Sequence, residues 1–359
     1  ARRSITEHVD YGNLFDCTKA GILFFEKEFD GAFPFAKYDQ LFVPEYNAGA
    51  MENAGCVTIT DAYVFRGQPS EPLVERRALT ILHELAHMWF GDLVTMKWWD
   101  DLWLNESFAE WASSVCQAEA TEWPDAWTTF HSHEKTWAYQ QDQQSDTHPV
   151  YADMRDLVDV TVNFDGITYA KGGSVLKQLV AYVGRDAFRE GLRSYFRKHA
   201  WGNTTMGDLF AEFEAGSGRD LSDWAQRWLK TSGPSTLALD VTTDDNGVIT
   251  AAAMTQTVAG SDPTLRPHRV GIGRYDLLGG RLDRVGYVEV DVDGPRTELP
   301  ELVGLPRPAL LLPNDEDLTY AKIALDPLSL QTAMAHIDAF DDSLARSLLL
   351  GALWEMLRD

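Results

Sequence analysis

His83 and His87 flank Glu84 in the run His83-Glu84-Leu85-Ala86-His87, and Glu106 follows after eighteen further residues. On a helix, positions four apart lie about one turn apart on the same face, so the two imidazoles can converge on one ion. The Glu106 carboxylate would complete a His₂Glu donor set and leave the fourth tetrahedral position open to water. That is the composition of a catalytic zinc site, whereas a structural one is closed by four protein ligands. Glu84 sits roughly 100° further round the helix than His83. From there it can reach a water at the ion without binding the ion, take the water's proton and pass it to a leaving amine. The five-residue pattern alone arises by chance in about one chain in a hundred of this size. Its weight comes from the helical setting and the third candidate ligand.

The elements that must position these residues are legible nearby. Ser70 is a candidate N-cap for the motif helix, with Glu71 and Pro72 in its first turn. Leu73, Val74, Ala78, Ile81, Leu82, Leu85 and Trp89 form its apolar stripe, and Gly91 is the expected stop. A second helix is expected from Asn105 to about Ala120, with Glu106 in its first turn. Upstream, a helix is expected over 15–30 with Asp16 as N-cap, then short strands at Leu41–Val43 and Cys56–Thr60. Eight of the twelve tryptophans fall between Trp89 and Trp137, which suits a bulky core around the metal-site helices. Each candidate histidine ligand needs an acceptor for its other ring nitrogen. Glu110 is the first choice among the nearby acids Asp92, Asp100, Asp101 and Glu110. His131 and His133, two apart on a helix, face different ways and read as packing or surface residues.

With 359 residues the chain can bury several cores, and 45% apolar with 24% charged residues is an ordinary globular balance. The net charge of −24 argues against nucleic acid and anionic membranes as partners and favours a cationic ligand. No apolar run is long enough to span a bilayer. Cys17, Cys56 and Cys116 are scattered, which suggests a reducing, cytoplasmic setting without a disulfide framework. The start, without Met or a signal-like apolar run, and the end within an apolar helical pattern lead us to expect a piece of a longer protein.

Further along, 140–172 reads as mostly irregular, and helical patterns return at 173–184, 186–199, 205–215 and 221–230. Past residue 233 the pattern alternates with period two, through turn residues such as DDNG and DVDG, to about residue 325. We therefore expect an α+β chain of three parts. These are a mixed catalytic domain over 1–233, a small β-sandwich over 234–326 and the first helices of a further domain over 327–359.

Three blocks taken together carry a resemblance. Gly49-Ala50-Met51-Glu52-Asn53, the H-E-x-x-H-x₁₈-E set and Phe164-Asp165-Gly166-Ile167-Thr168-Tyr169-Ala170-Lys171-Gly172 match the aminopeptidase N family of zinc metallopeptidases in order and spacing. The resemblance covers roughly 1–233 and implies a thermolysin-like catalytic domain with one Zn²⁺ per chain. It implies His83, His87 and Glu106 as ligands and Glu84 as general base. The Gly49–Asn53 loop would bind substrate, Glu52 taking the α-ammonium of a peptide with a free amino terminus, and Tyr169 would donate to the oxyanion. Ala170 departs from relatives that carry an acid there. Two other readings compete: an epoxide-hydrolysing relative of leukotriene hydrolase, and an inactive binding module that keeps the zinc site.

Overall fold

The structure, a computed structural model, describes residues 1–259 and 263–358. It divides into two units. The first is built from Ala1–Trp127, Asp153–Val162 and Arg185–Asp220; the second from Thr128–Ala152, Asn163–Gly184 and the chain from Leu221 onward. Helices are combined with several small sheets, an α+β arrangement.

In the first unit, α1 spans Tyr11–Phe29, α2 spans Glu71–Ala86 and α3 spans Trp103–Ala120. The N-cap of α1 is Asp10, whose carboxylate accepts from Asn13 N at 3.2 Å. Asp16, expected as the cap, lies exposed within the helix. The apolar stripe begins only at Leu14, whereas the capping carboxylate sits one turn earlier. Ser70 does precede α2, but its side chain makes no capping bond, and Pro72 occupies the first turn. Ala78, Ile81, Leu82 and Leu85 of α2 are fully buried, while Leu73 is half exposed. The helix ends at Ala86, short of Gly91, because the chain tightens there: Met88 N and Trp89 N bond to Leu85 O and Ala86 O, three residues back.

Every residue of α3 from Trp103 to Gln117 is buried. An interior helix carrying carboxylates must give them partners, since an unpaired buried charge is costly. Aromatic rings from three stretches pack beside it. Phe90 lies 4.6 Å from Phe108, 5.3 Å from Phe29 and 4.9 Å from Phe196, centroid to centroid. Trp89, Trp103, Trp111 and Trp123 are buried as expected, but Trp98 is half exposed.

A three-stranded sheet completes the frame: β1 (Asp39–Val43), β2 (Ala50–Met51) and β3 (Cys56–Thr60), in the order β1-β3-β2. β1 runs parallel to β3, from Asp39↔Cys56 to Val43↔Thr60. β2 runs antiparallel to β3, with Ala50↔Ile59 and Met51↔Thr58. Val57 and Ile59 point into the core, which fixes the register. Part of the Gly49–Asn53 loop is thus an edge strand.

The second unit holds two sheets. One joins Arg296–Glu298, Ile249–Val258, Ser235–Thr243 and Ala321–Ala324 in that order; the other joins Leu310–Pro313, His268–Leu278 and Arg281–Val292. Leu237, Met254, Ile272 and Leu311 from both sheets share one core with Leu349 of the helix Ser343–Arg358. The stretch 140–172 is mostly irregular, as expected. It contains the helix Leu157–Val162 and a π-helical turn, Ile167–Lys171, that runs into the helix Gly172–Val183. Both short elements start at an aspartate, Asp156 and Asp165, that caps backbone N–H groups. Capped turns of this kind need no apolar periodicity. Among the described residues, no helix is long and apolar enough to cross a membrane.

Candidate metal centre

His83, His87 and Glu106 come together in the first unit. The two imidazole Nε2 atoms lie 3.0 Å apart, and each is 3.4 Å from Glu106 Oε2. Four donors about 2.0–2.1 Å from a tetrahedral ion stand ~3.3 Å from one another, so the three atoms match three corners of such a site. They are the group of side chains among the described residues whose donor atoms could hold a metal ion. The outer ring nitrogens explain the pose. His87 Nδ1 has Asn105 Oδ1 at 2.8 Å and Phe90 O at 3.0 Å, and His83 Nδ1 has Glu110 Oε2 at 3.3 Å. These oxygens accept, so each Nδ1 carries a proton and each Nε2 is left to face the other and Glu106. Two Nε2 atoms this close, beside a carboxylate, call for a cation among them, a proton or a metal ion. On this ground the donor set fits a metal ion.

Glu110, the first of the four acids considered, is the one beside His83. Asp101 instead accepts from Trp103 Nε1 and Met206 N, a structural role. Asn105, which sequence reasoning passed over, is a junction: its Oδ1 faces His87 and its Nδ2 donates to Glu52 Oε1 at 3.1 Å. Only its position beside Glu106 could have drawn attention to it.

In the Gly49–Asn53 stretch, Gly49 O accepts from Thr60 N at 3.0 Å, and Ala50 and Met51 form β2. Asn53 Nδ2 donates to Thr58 Oγ1 at 3.2 Å, which ties the loop back to β3. Met51 is exposed and Glu52 is partly buried. The structure thus links Glu52 to His87 through a single amide. Tyr169 belongs to the second unit, on the π-helical turn, with the rings of Trp137 and Phe164 at 6.3 and 6.4 Å. His131 is buried against Ser347 Oγ at 2.8 Å, and His133 is exposed.

Residues 14–228 match the Peptidase family M1 domain. The chain belongs to peptidase family M1. This is a family of metallopeptidases. The chain is 56% identical to an aminopeptidase N of Streptomyces lividans, over all of this chain and 43% of that protein. It is 39% identical to the tricorn protease-interacting factor F2 of Thermoplasma volcanium, over 61% of this chain and 28% of that one. With aminopeptidase M1-B of Oryza sativa subsp. japonica it shares 35% identity, over 73% and 30% respectively. The chain therefore spans less than half the length of these relatives.

The electrostatics of the M1 centre follow from burying two imidazoles among carboxylates. Burial disfavours a charged His83, yet Glu106 and Glu110 outweigh it and lift its pKa to about 9. For His87 burial again opposes protonation, and Glu52 and Glu106 raise its pKa well above the usual histidine value. Glu106 responds in reverse: burial pushes its carboxyl up, but His87 and His83 hold it down at about 2. Glu84 is dominated by burial, which raises it to about 7 against the pull of both histidines. Its Oε2 is buried with no hydrogen-bond partner. A pocket that draws protons so strongly onto its imidazoles offers the same negative potential to a dication, whose binding would displace those protons.

Proposed function

We propose that this chain carries the active centre of a zinc-dependent aminopeptidase, with one zinc ion per chain held by His83, His87 and Glu106. The observation that carries the reading is the convergence of two Nε2 atoms and one carboxylate oxygen at tetrahedral-edge spacings. A set of two imidazoles and one carboxylate is typical of catalytic zinc. The name aminopeptidase N borne by the Streptomyces lividans relative supports the substrate class.

A zinc ion held there supplies Lewis acidity, which polarises a scissile carbonyl and acidifies water. Glu84 takes the proton of the attacking water and delivers it to the leaving amine. Glu52 pairs with the α-ammonium of the peptide, which restricts cleavage to the amino-terminal residue. β2, at the edge of its sheet, offers backbone groups to an extended substrate. Tyr169 donates a hydrogen bond from its phenol to the carbonyl oxygen as that oxygen gains charge. This last assignment rests on the F-D-G-I-T-Y-A-K-G motif. The three free thiols support a cytoplasmic setting, and residues 1–233 form the catalytic domain in this proposal.

Metal analysis of the complete protein tests the reading. We expect about one zinc per chain after mild purification. A chelator should abolish cleavage of an aminoacyl chromogenic amide, and added zinc should restore it. A chain that cleaves the amide equally well without metal would overturn the proposal.

A further inference from the structure

His148, in the run Thr147-His148-Pro149, lies outside every site discussed so far. Its Nδ1 is 2.7 Å from Pro149 O, and its Nε2 is 2.9 Å from Asp165 Oδ2. A carbonyl oxygen and a carboxylate only accept, so both ring nitrogens must donate. The geometry therefore demands the imidazolium. The pair is sheltered, with side chains 20% and 16% exposed, which strengthens it over a surface contact.

What the pair holds matters more. The other oxygen of Asp165 accepts from Ile167 N at 2.9 Å and Thr168 N at 3.1 Å, and its backbone O accepts from Tyr169 N at 3.1 Å. Asp165 is thus the cap of the turn that carries Tyr169. Gly166, next in sequence, donates its N–H to Gln141 Oε1 at 2.6 Å. A Cβ on Gly166 would lie 2.8 Å from that oxygen and 2.9 Å from Trp137 Cδ2. No larger residue fits there. The turn closes in π fashion, Lys171 N to Gly166 O at 2.9 Å, a geometry that recurs at functional sites.

We propose that His148 is a positioning residue for Tyr169: as an imidazolium it fixes Asp165, and Asp165 fixes the turn that aims the phenol. The proposal rests on the reading of Tyr169 as the oxyanion donor. The charged groups facing the pair are Asp165 itself and Lys171, whose Nζ is 2.8 Å from Asp142 Oδ2; Asp142 Oδ1 in turn accepts from Thr147 Oγ1 at 2.7 Å. Burial and Lys171 disfavour the imidazolium, but Asp165 and the Pro149 carbonyl favour it, and its pKa is raised. Deprotonation leaves one N–H for two acceptors and removes the ion pair. The loosening therefore comes as pH rises through the raised pKa. Tyr169 acts on charge that develops in the transition state, so its misplacement lowers kcat more than it raises KM.

The test uses the complete metal-loaded enzyme. In His148→Gln, which can satisfy one acceptor and never carries charge, kcat should fall on the order of tenfold with KM nearly unchanged. The alkaline limb of the kcat profile assigned to His148 should vanish. Asp165→Asn should reproduce both effects. NMR of isotope-labelled histidine in the unaltered protein gives a readout independent of activity and of the variants' folding: His148 should hold both protons at neutral pH and titrate above the ordinary histidine range. A neutral His148 there would overturn the proposal, as would full kcat and an unaltered pH profile in His148→Gln. Tyr169→Phe separates the two readings. Full activity in that variant removes the oxyanion assignment itself, whereas a crippled Tyr169→Phe beside a fully active His148→Gln removes only the positioning role.

Discussion

A Cβ placed on Gly91 would lie 2.1 Å from Asn105 Oδ1. Gly91 also has φ +118°, a backbone conformation that side chains resist. The glycine is what allows the Asn105 amide to sit between His87 Nδ1 and Glu52 Oε1. Gly91→Ala should therefore expel the amide and leave His87 with only the Phe90 carbonyl. We expect zinc affinity to fall about 10- to 100-fold and stability to fall by roughly 1–3 kcal/mol. Competition with a chromophoric chelator and a thermal melt measure the two effects. Unchanged affinity would remove Asn105 from the support of His87.

Glu84→Gln keeps the shape of the side chain but cannot accept a proton. Zinc content should stay at about one per chain while kcat drops by about 10²- to 10⁴-fold. A base works only when deprotonated, so activity in the unaltered enzyme falls as pH drops through the pKa of Glu84. Burial sets that value at about 7. A neighbouring dication favours the carboxylate, so the acid limb of the loaded enzyme should lie below pH 7 and should shift or disappear in the variant. A variant with full turnover would mean that another group takes the proton.

Glu52→Ala removes the proposed partner of the peptide's α-ammonium. A hydrogen bond to a charged group contributes about 1.5–3 kcal/mol, so kcat/KM for peptides with a free amine should fall about 10- to 100-fold. A substrate lacking that amine should be cleaved equally poorly by both proteins. Asn105 Nδ2 also loses its acceptor, so zinc content is measured in parallel. If amine-bearing substrates keep their kcat/KM, Glu52 does not select for the amine.

Local rules and tertiary packing divide what could be read in advance. His83 and His87 were legible because the helical period places positions four apart on one face, and Glu106 because it stands eighteen residues beyond His87 as a third candidate ligand. Glu110 followed from the same arithmetic, one turn beyond Glu106. The strand pattern from Ser235 to Ala324 was legible from its period of two, since each sheet buries one face. Asn105 and the Phe90 carbonyl were not, because they reach His87 only through the turn after Ala86, whose path depends on Gly91. The true cap of α1 was missed because Asp10 and Asp16 are both sound capping residues and the hydrogen bond to Asn13 decides between them. The turn bearing Tyr169 was missed because it is held by side-chain caps, Asp165 and Gln141, and has no apolar period to betray it. Glu52 gained a role from its motif, while its link to His87 through Asn105 emerged only from the packed structure.

Acid should weaken the second unit through two buried histidines. Burial pushes the pKa of His131 down to about 4, and burial together with Arg266 pushes His268 down to about 3. His268 is enclosed between Thr319 Oγ1 at 2.8 Å and Gln256 Oε1 at 3.2 Å. An unfolded histidine titrates near 6.5, so as pH falls below that value the unfolded chain binds these protons first and the folded state loses stability. Asp315 works the other way. Burial raises it to about 6 despite its bonds from Tyr275 and Arg284, so the folded state takes that proton ahead of the unfolded chain. Among these three groups the unfolded chain binds more protons than the folded one between about pH 6 and pH 4.5, so they make the unit less stable as pH falls. Amide exchange in the strands His268–Leu278 and Arg281–Val292 across that range measures the trend within this unit. His268→Gln should reduce the acid sensitivity, because glutamine does not titrate. Stability that rises on acidification would mean that Asp315 outweighs both histidines.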